Sequence, residues 1–298
     1  MPVLNDNLRG ALFMMGAMFA FTVNDTIIKW VGVNMPLPQL LAIRGTITTL
    51  ILFVAAMSVG AFRQPIERRD VWLIIARAAC EVAAAYFFLT ALLRMDLAIA
   101  TAILLVLPLS VALCAALFFK EPLGWRRMLA ILIGFCGMLL IVKPGPSGIT
   151  VEAWLALAAV ACVTARDLIA RRITKKTHSL APALAGAFGV GLSGYVAMAG
   201  QNWVPVLLPD MIALTGSAVM VGIAYACSVG AMRVGEVAFV VPFRYTSLIW
   251  ALVLGFVVFG EWPDWLSLVG AGILVATGLF TIYRETQTRK AYAKAART

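Results

Sequence analysis

Asp25 and Lys29 stand four residues apart in the first apolar run, and Asp167 and Arg171 repeat that spacing near the middle of the chain. Residues four apart share a helix face, so each acid can neutralise its own base. The duplicated pairs admit two roles, structural pairing or gating and coupling. Arg77 and Glu81 form a third pair. It is either self-neutralised, or Glu81 carries a proton or meets a ligand amine. Arg44 and Arg244 differ, because neither has an acid three or four residues away. A guanidinium without a local acid suits a carboxylate or phosphate, which it grips through two parallel hydrogen bonds. It can equally pair with an acid on another helix, Glu81 for instance, or cap backbone carbonyls.

These groups must be held by helices in lipid. The chain is 62% hydrophobic and 13% charged, against about half and about a quarter for soluble domains, which excludes an ordinary water-soluble fold. A spanning helix needs roughly 20 mainly apolar residues. Such stretches run at 9–31, 37–59, 70–93, 96–118, 125–142, 151–170, 180–199, 209–232, 237–259 and 264–283. The first is too long and too poor in early cations for a signal peptide, so it is expected to be retained. Ionisable groups inside these spans cost roughly 2.5–3.5 kcal/mol each, so each needs a partner or a purpose.

Pro108 in the fourth span and Pro242 in the ninth each remove a backbone hydrogen bond and are expected to kink their helices. Carbonyls freed in this way can serve a cavity. Tyr86, Tyr225, Tyr245 and Trp250 could cradle a ring-bearing ligand or simply pack. Gly186, Gly189, Gly191 and Gly194 favour close helix contact. The five cysteines lie singly inside spans and His178 lies in a loop beside lysines. Neither pattern has metal-ligand spacing, so no metal and no cofactor are expected.

The net charge of +10 raises the question of nucleic acid. With a cytoplasmic N-terminus, eighteen of the 24 Lys and Arg fall on the inner side, including Arg63, Lys120, Arg166, Lys175 and Arg233. Only Arg94 and Lys143 fall outside, and Lys29, Arg44, Arg77 and Arg244 lie within helices. The positive-inside rule therefore places both termini in the cytoplasm. The basic charge then reflects topology and contact with the lipid bilayer, and nucleic acid has no separate support. Of eight tryptophans, all but Trp250 lie near span ends, where interfacial anchors belong.

The chain also repeats itself. Asn24-Asp25 to Lys29 resembles Arg166-Asp167 to Arg171, Pro38 and Pro182 share a register, and Ala85-Tyr86 to Arg94 matches Ala224-Tyr225 to Arg233. The match continues from Phe119-Lys120-Glu121 and Trp125 to Phe259-Gly260-Glu261 and Trp265. Five spans are thus duplicated, and because five is odd the second copy must enter the membrane inverted. Inverted repeats recur in transporters, with the site near the midplane. The expected architecture is an all-α integral membrane protein of ten transmembrane helices as two inverted five-helix repeats. Residues 1–146 form the first repeat, 147–285 the second, and 286–298 a basic cytoplasmic tail.

On these residues, with Glu121 and Glu261 and the Gly-rich fifth and tenth helices, the chain resembles the drug/metabolite transporter superfamily, EamA type. The resemblance implies a central cavity lined mainly by helices one, three, four, six, eight and nine, and alternating access between the halves. It implies no enzyme activity and a bacterial-type inner (plasma) membrane. It also implies export or exchange, with proton or exchange-substrate coupling. A homodimer is compatible with it. Together with the two arginines, the expectation is secondary-active transport of a small organic metabolite bearing a carboxylate, an amino acid or organic anion. The alternative is uptake or exchange of a larger zwitterion, such as a nucleoside-linked amino acid or a vitamin. A lipid-acting intramembrane enzyme lacks a nucleophile and base set, and a channel would not show saturable counterflow. No Gly-rich loop with its lysine suggests ATP drive.

Overall fold

The computed structural model describes residues 6–61, 66–119, 124–144, 149–174, 176–234 and 237–295, with side chains at 233, 237, 238, 285, 286 and 288–295 left aside. Glu121, Arg63, Lys120 and Lys175 lie outside the described residues. Helices account for every regular element described. They are α1 (Asp6–Val31), α2 (Leu37–Ser58), α3 (Arg68–Leu92), α4 (Leu97–Leu104), α5 (Leu107–Phe119) and α6 (Trp125–Val142). There follow α7 (Val151–Ala170), α8 (Leu180–Ala197), α9 (Leu208–Val234) and α10 (Val237–Val240). A 3₁₀ turn (Val241–Tyr245), α11 (Thr246–Phe259) and α12 (Trp265–Ala295) complete the chain. Ten stretches among the described residues are long and apolar enough to cross a membrane. The chain is therefore an all-α, ten-helix membrane protein. The last helix outruns its expected span by about three turns of polar residues.

Two compact units emerge, and each draws on both expected repeats. One comprises Met1–Phe19, Asp96–Thr150 and Ala224–Thr298, the other Ala20–Met95 and Val151–Ile223.

In the second of these, α3 packs along α7 and α2 along α8. Glycines allow the α2–α8 approach: a Cβ on Gly45 would lie 2.4 Å from Gly191 Cα, and one on Gly194 would lie 2.5 Å from both Ala42 N and Pro38 O. Such backbone-to-backbone contact is the usual way helices associate where the surrounding lipid is as apolar as their own side chains. Loops are tied down by buried polar side chains. Asp70, fully enclosed in the first turn of α3, accepts hydrogen bonds from Thr174 N (3.2 Å), Thr174 Oγ1 (2.6 Å) and Thr177 Oγ1 (2.6 Å). Gln39, also fully enclosed, donates to Val204 O at 2.6 Å and accepts from Val204 N at 2.9 Å.

In the other unit, α12 packs on α6 and α11 on α4. A Cβ on Gly270 would meet Gly137 O at 2.5 Å. Glu261 Oε2 accepts from Leu97 N at 2.9 Å, so this carboxylate caps an orphan amide at the start of α4. Lys143, the C-cap of α6 at φ +48°, makes an ion pair with Asp264. Asp264 also accepts from Leu266 N, Ser267 N and Ser267 Oγ at the start of α12. The Lys143 hydrogen bond above all, helped by those from Ser267 and opposed by partial burial, pulls the Asp264 carboxyl down to about 2.

Candidate functional site

Polar groups inside the spans collect in three places. The first is a neutral network of two acids and two bases in the unit holding α3, α7 and α8. Glu81 accepts from Arg166 Nη1 at 3.1 Å and 3.2 Å through its two oxygens, and Arg77 Nη2 lies 3.5 Å from Oε2. Arg77 Nη1 donates to Pro182 O at 2.8 Å. Arg166 turns its Nε to Asp167 Oδ1 at 2.9 Å. Gly186 of α8 makes the room, since a Cβ there would sit 3.3 Å from Glu81 Cγ and 3.4 Å from Arg77 Nη1.

This network revises two expectations. Arg166 lies within α7, inside the expected sixth span. Asp167 takes its neighbour Arg166 and not Arg171, whose i, i+4 spacing is outmatched by a side chain already anchored on Glu81. Glu81 faces two guanidiniums where its own helix offered one. With both oxygens engaged, it is poorly placed as a mobile proton carrier.

The second place is around Asp25 in the same unit. Asn24 Nδ2 donates to Asp25 Oδ1 at 2.9 Å, and buried Ser217 Oγ donates to Asn24 Oδ1 at 2.7 Å. The opposite charge acting on Asp25 is Arg44 of α2. Lys29 does not form the expected pair with Asp25; its Nζ donates to Met95 O at 2.7 Å. A backbone carbonyl just beyond the end of α3 is rich in unsatisfied acceptor capacity and can draw an ammonium. Arg44 therefore has an interhelical acid. Asn24-Asp25 and Arg166-Asp167, aligned as repeats, make the same side-chain bond to the next residue. Tyr86 Oη, on α3, donates to Ser193 O of α8 at 3.2 Å.

The third place is in the unit holding α4 and α11, where two spans are interrupted at matching positions. Between α4 and α5 the chain turns at Leu105-Val106, with Pro108 second in α5. Pro108 has no N–H to offer Leu104 O, and neither Leu104 O nor Leu105 O accepts a backbone hydrogen bond among the described residues. In the ninth span, α10 passes through the 3₁₀ turn that carries Pro242, Arg244 and Tyr245. Arg244 is exposed and makes no ion pair or hydrogen bond to any described residue. Tyr245 is 6% exposed, and a Cβ on Gly278 would fall on its hydroxyl. Tyr245 is thus a packing residue seated over a glycine of α12, not the ligand contact expected. Tyr225 is half-buried in α9, Arg171 is exposed beyond α7, and Trp250 packs edge-on against Phe19 at 5.0 Å.

Asp70, Gln39, Ser217 and Arg166 had not been singled out from sequence. Arg166 carried a signal, its alignment with Asn24; Gln39 carried none. No group of three or more metal-ligating side chains occurs among the described residues.

Ten apolar spans, two of them interrupted near buried or unpartnered charge, define a polytopic membrane protein. Residues 8–143, a little under half of the chain, match the EamA-like transporter family. It is 25% identical to an S-adenosylmethionine uptake transporter of Rickettsia bellii over 65% of this chain, spanning just under two thirds (66%) of that protein. It is 22% identical to a riboflavin transporter of Vibrio cholerae, over 96% of this chain and 97% of that one. A pseudopaline exporter of Pseudomonas aeruginosa is 25% identical over 92% and 96%. A solved crystal structure shares the fold at TM-score 0.59 and 19% identity, covering 90% of this chain and 94% of that one.

Proposed function

We propose that the chain is a secondary carrier of a small organic metabolite bearing a carboxylate, working by alternating access as an exporter or exchanger. Arg244 carries this reading. A guanidinium in an apolar span, exposed and without a partner among the described residues, costs too much to keep without a counter-charge. A carboxylate supplies that charge with matched geometry. The break at Pro242 supports the same assignment, because interrupted helices at matching positions mark transporter binding sites. Arg44 is the weaker candidate, since Asp25 already offsets it.

A second reading is uptake or exchange of a larger zwitterion. It is favoured by the relatives named for S-adenosylmethionine, a nucleoside-linked amino acid, and for riboflavin, a vitamin. Asp25 would then meet a positive group on the substrate. The proposed arrangement remains two inverted repeats, 1–146 and 147–285, with both termini in the cytoplasm and the chain in the inner membrane.

Counterflow in proteoliposomes tests both readings. Vesicles preloaded with unlabelled amino acids, organic acids, nucleosides or vitamins are given the labelled compound, and Arg244→Gln is run beside wild type. We expect saturable counterflow for a carboxylate compound and a KM raised about tenfold or more in the variant, the scale of a lost charged hydrogen bond. Counterflow of uncharged or cationic compounds alone, unchanged in Arg244→Gln, would sink the carboxylate assignment.

A further inference from the structure

A groove of about 420 Å³ runs between α6 and α12, lined by Trp125, Arg126, Leu129, Ile133, Thr277 and Phe280 among others. Its walls are apolar and open: Leu129, Ile133 and Phe280 are each more than a third exposed. In a spanning helix such a face meets acyl chains. One end is different. Arg126 lines it, its guanidinium 5.3 Å from the Trp125 ring centroid. On α12, Ala276, Phe280 and Arg284 follow one another at four-residue intervals, which brings a second cation to the same end. Because α6 begins and the tenth span ends there, this end lies at a membrane surface, where tryptophan and arginine sit at headgroup level.

We propose that this groove is a binding site for an anionic phospholipid. One acyl chain lies between α6 and α12, and the headgroup phosphate meets Arg126, with Arg284 adding to the local positive potential. Basic pockets between transmembrane helices select anionic headgroups by this chemistry. The second groove, about 390 Å³ between α2, α3 and α8, is equally apolar but has no cation among its described lining residues. It serves as an internal control, holding chains without choosing headgroups.

The test is native mass spectrometry of the full chain with phosphatidylglycerol or phosphatidylcholine. Wild type is expected to retain phosphatidylglycerol roughly fivefold better, the effect of one cation near an anionic surface. Arg126→Gln should fall to the phosphatidylcholine level. Leu129→Trp, which fills the groove at an exposed position, should lower retention of phosphatidylglycerol. Filling the control groove with Leu184→Trp should leave the headgroup preference intact. Equal retention of the two lipids by wild type overturns the proposal. So does a full phosphatidylglycerol preference in either Arg126→Gln or Leu129→Trp. Because the readout is lipid retention, it stands apart from any failure of the transport assay.

Discussion

Two arginines that looked alike in the sequence turn out to have different surroundings. Arg44 is offset by an acid on another helix, while Arg244 has no such neighbour among the described residues. Glu81 is the hinge of the network that was read from sequence as a single pair. Glu81→Gln leaves Arg77 and Arg166 without their shared acid, and we expect a loss of about 1–3 kcal/mol, read as a lower unfolding temperature in detergent. Combining it with Arg77→Gln should recover part of that loss, a coupling on the order of 0.5–3 kcal/mol. A fully stable Glu81→Gln whose transport loses its pH dependence would instead restore the proton-carrier role.

At the scale of elements, glycine and proline decide most of what is seen. The α2–α8 contact leaves no room for a side chain at Gly191, where a Cβ would lie 3.0 Å from Gly45 C. Gly191→Val should therefore cost about 1–3 kcal/mol or more through overpacking, whereas Gly272→Ala, with open space around it, should cost little. Denaturation of both variants side by side checks the contrast. The α6–α12 junction has a different signature. Because folding lowers the Asp264 carboxyl from its ordinary 3.8 to about 2, the Lys143 pair stabilises above about pH 4. That contribution fades as pH falls through about 2. The group is 43% exposed, so solvent screening keeps the effect small. Unfolding temperature between pH 5 and 2 should drop more steeply for wild type than for Asp264→Asn; parallel curves would show that the pair contributes nothing.

For the whole molecule, the proposed topology has both termini in the cytoplasm, on the strength of the charge distribution. A fluorescent protein fused after residue 298 should therefore mature, and a periplasmic phosphatase fused there should stay inactive; the reverse pattern would invert the topology and with it the assignment of inner and outer loops. Ten spans, their ends to within a few residues and the resemblance to EamA-type transporters were all legible without coordinates. The reason is thermodynamic: lipid tolerates only runs of apolar residues with internally satisfied backbones, so length and hydropathy are strong constraints. The breaks near Pro108 and Pro242 were legible for a similar reason, since a missing N–H is written in the residue type. Partner choice was not. Spacing of four along one helix suggested Asp25 with Lys29 and Asp167 with Arg171. In the fold Asp25 faces Arg44, Lys29 reaches Met95 O, and Asp167 takes Arg166. A polar group in an apolar medium goes to the best counter-charge or carbonyl within reach, and which groups are within reach depends on helix packing. Composition and periodicity determined that this chain is a ten-helix membrane protein. Only the tertiary structure decided which charges within its spans have partners on other helices and which have none among the described residues, because that depends on distances between helices far apart in sequence.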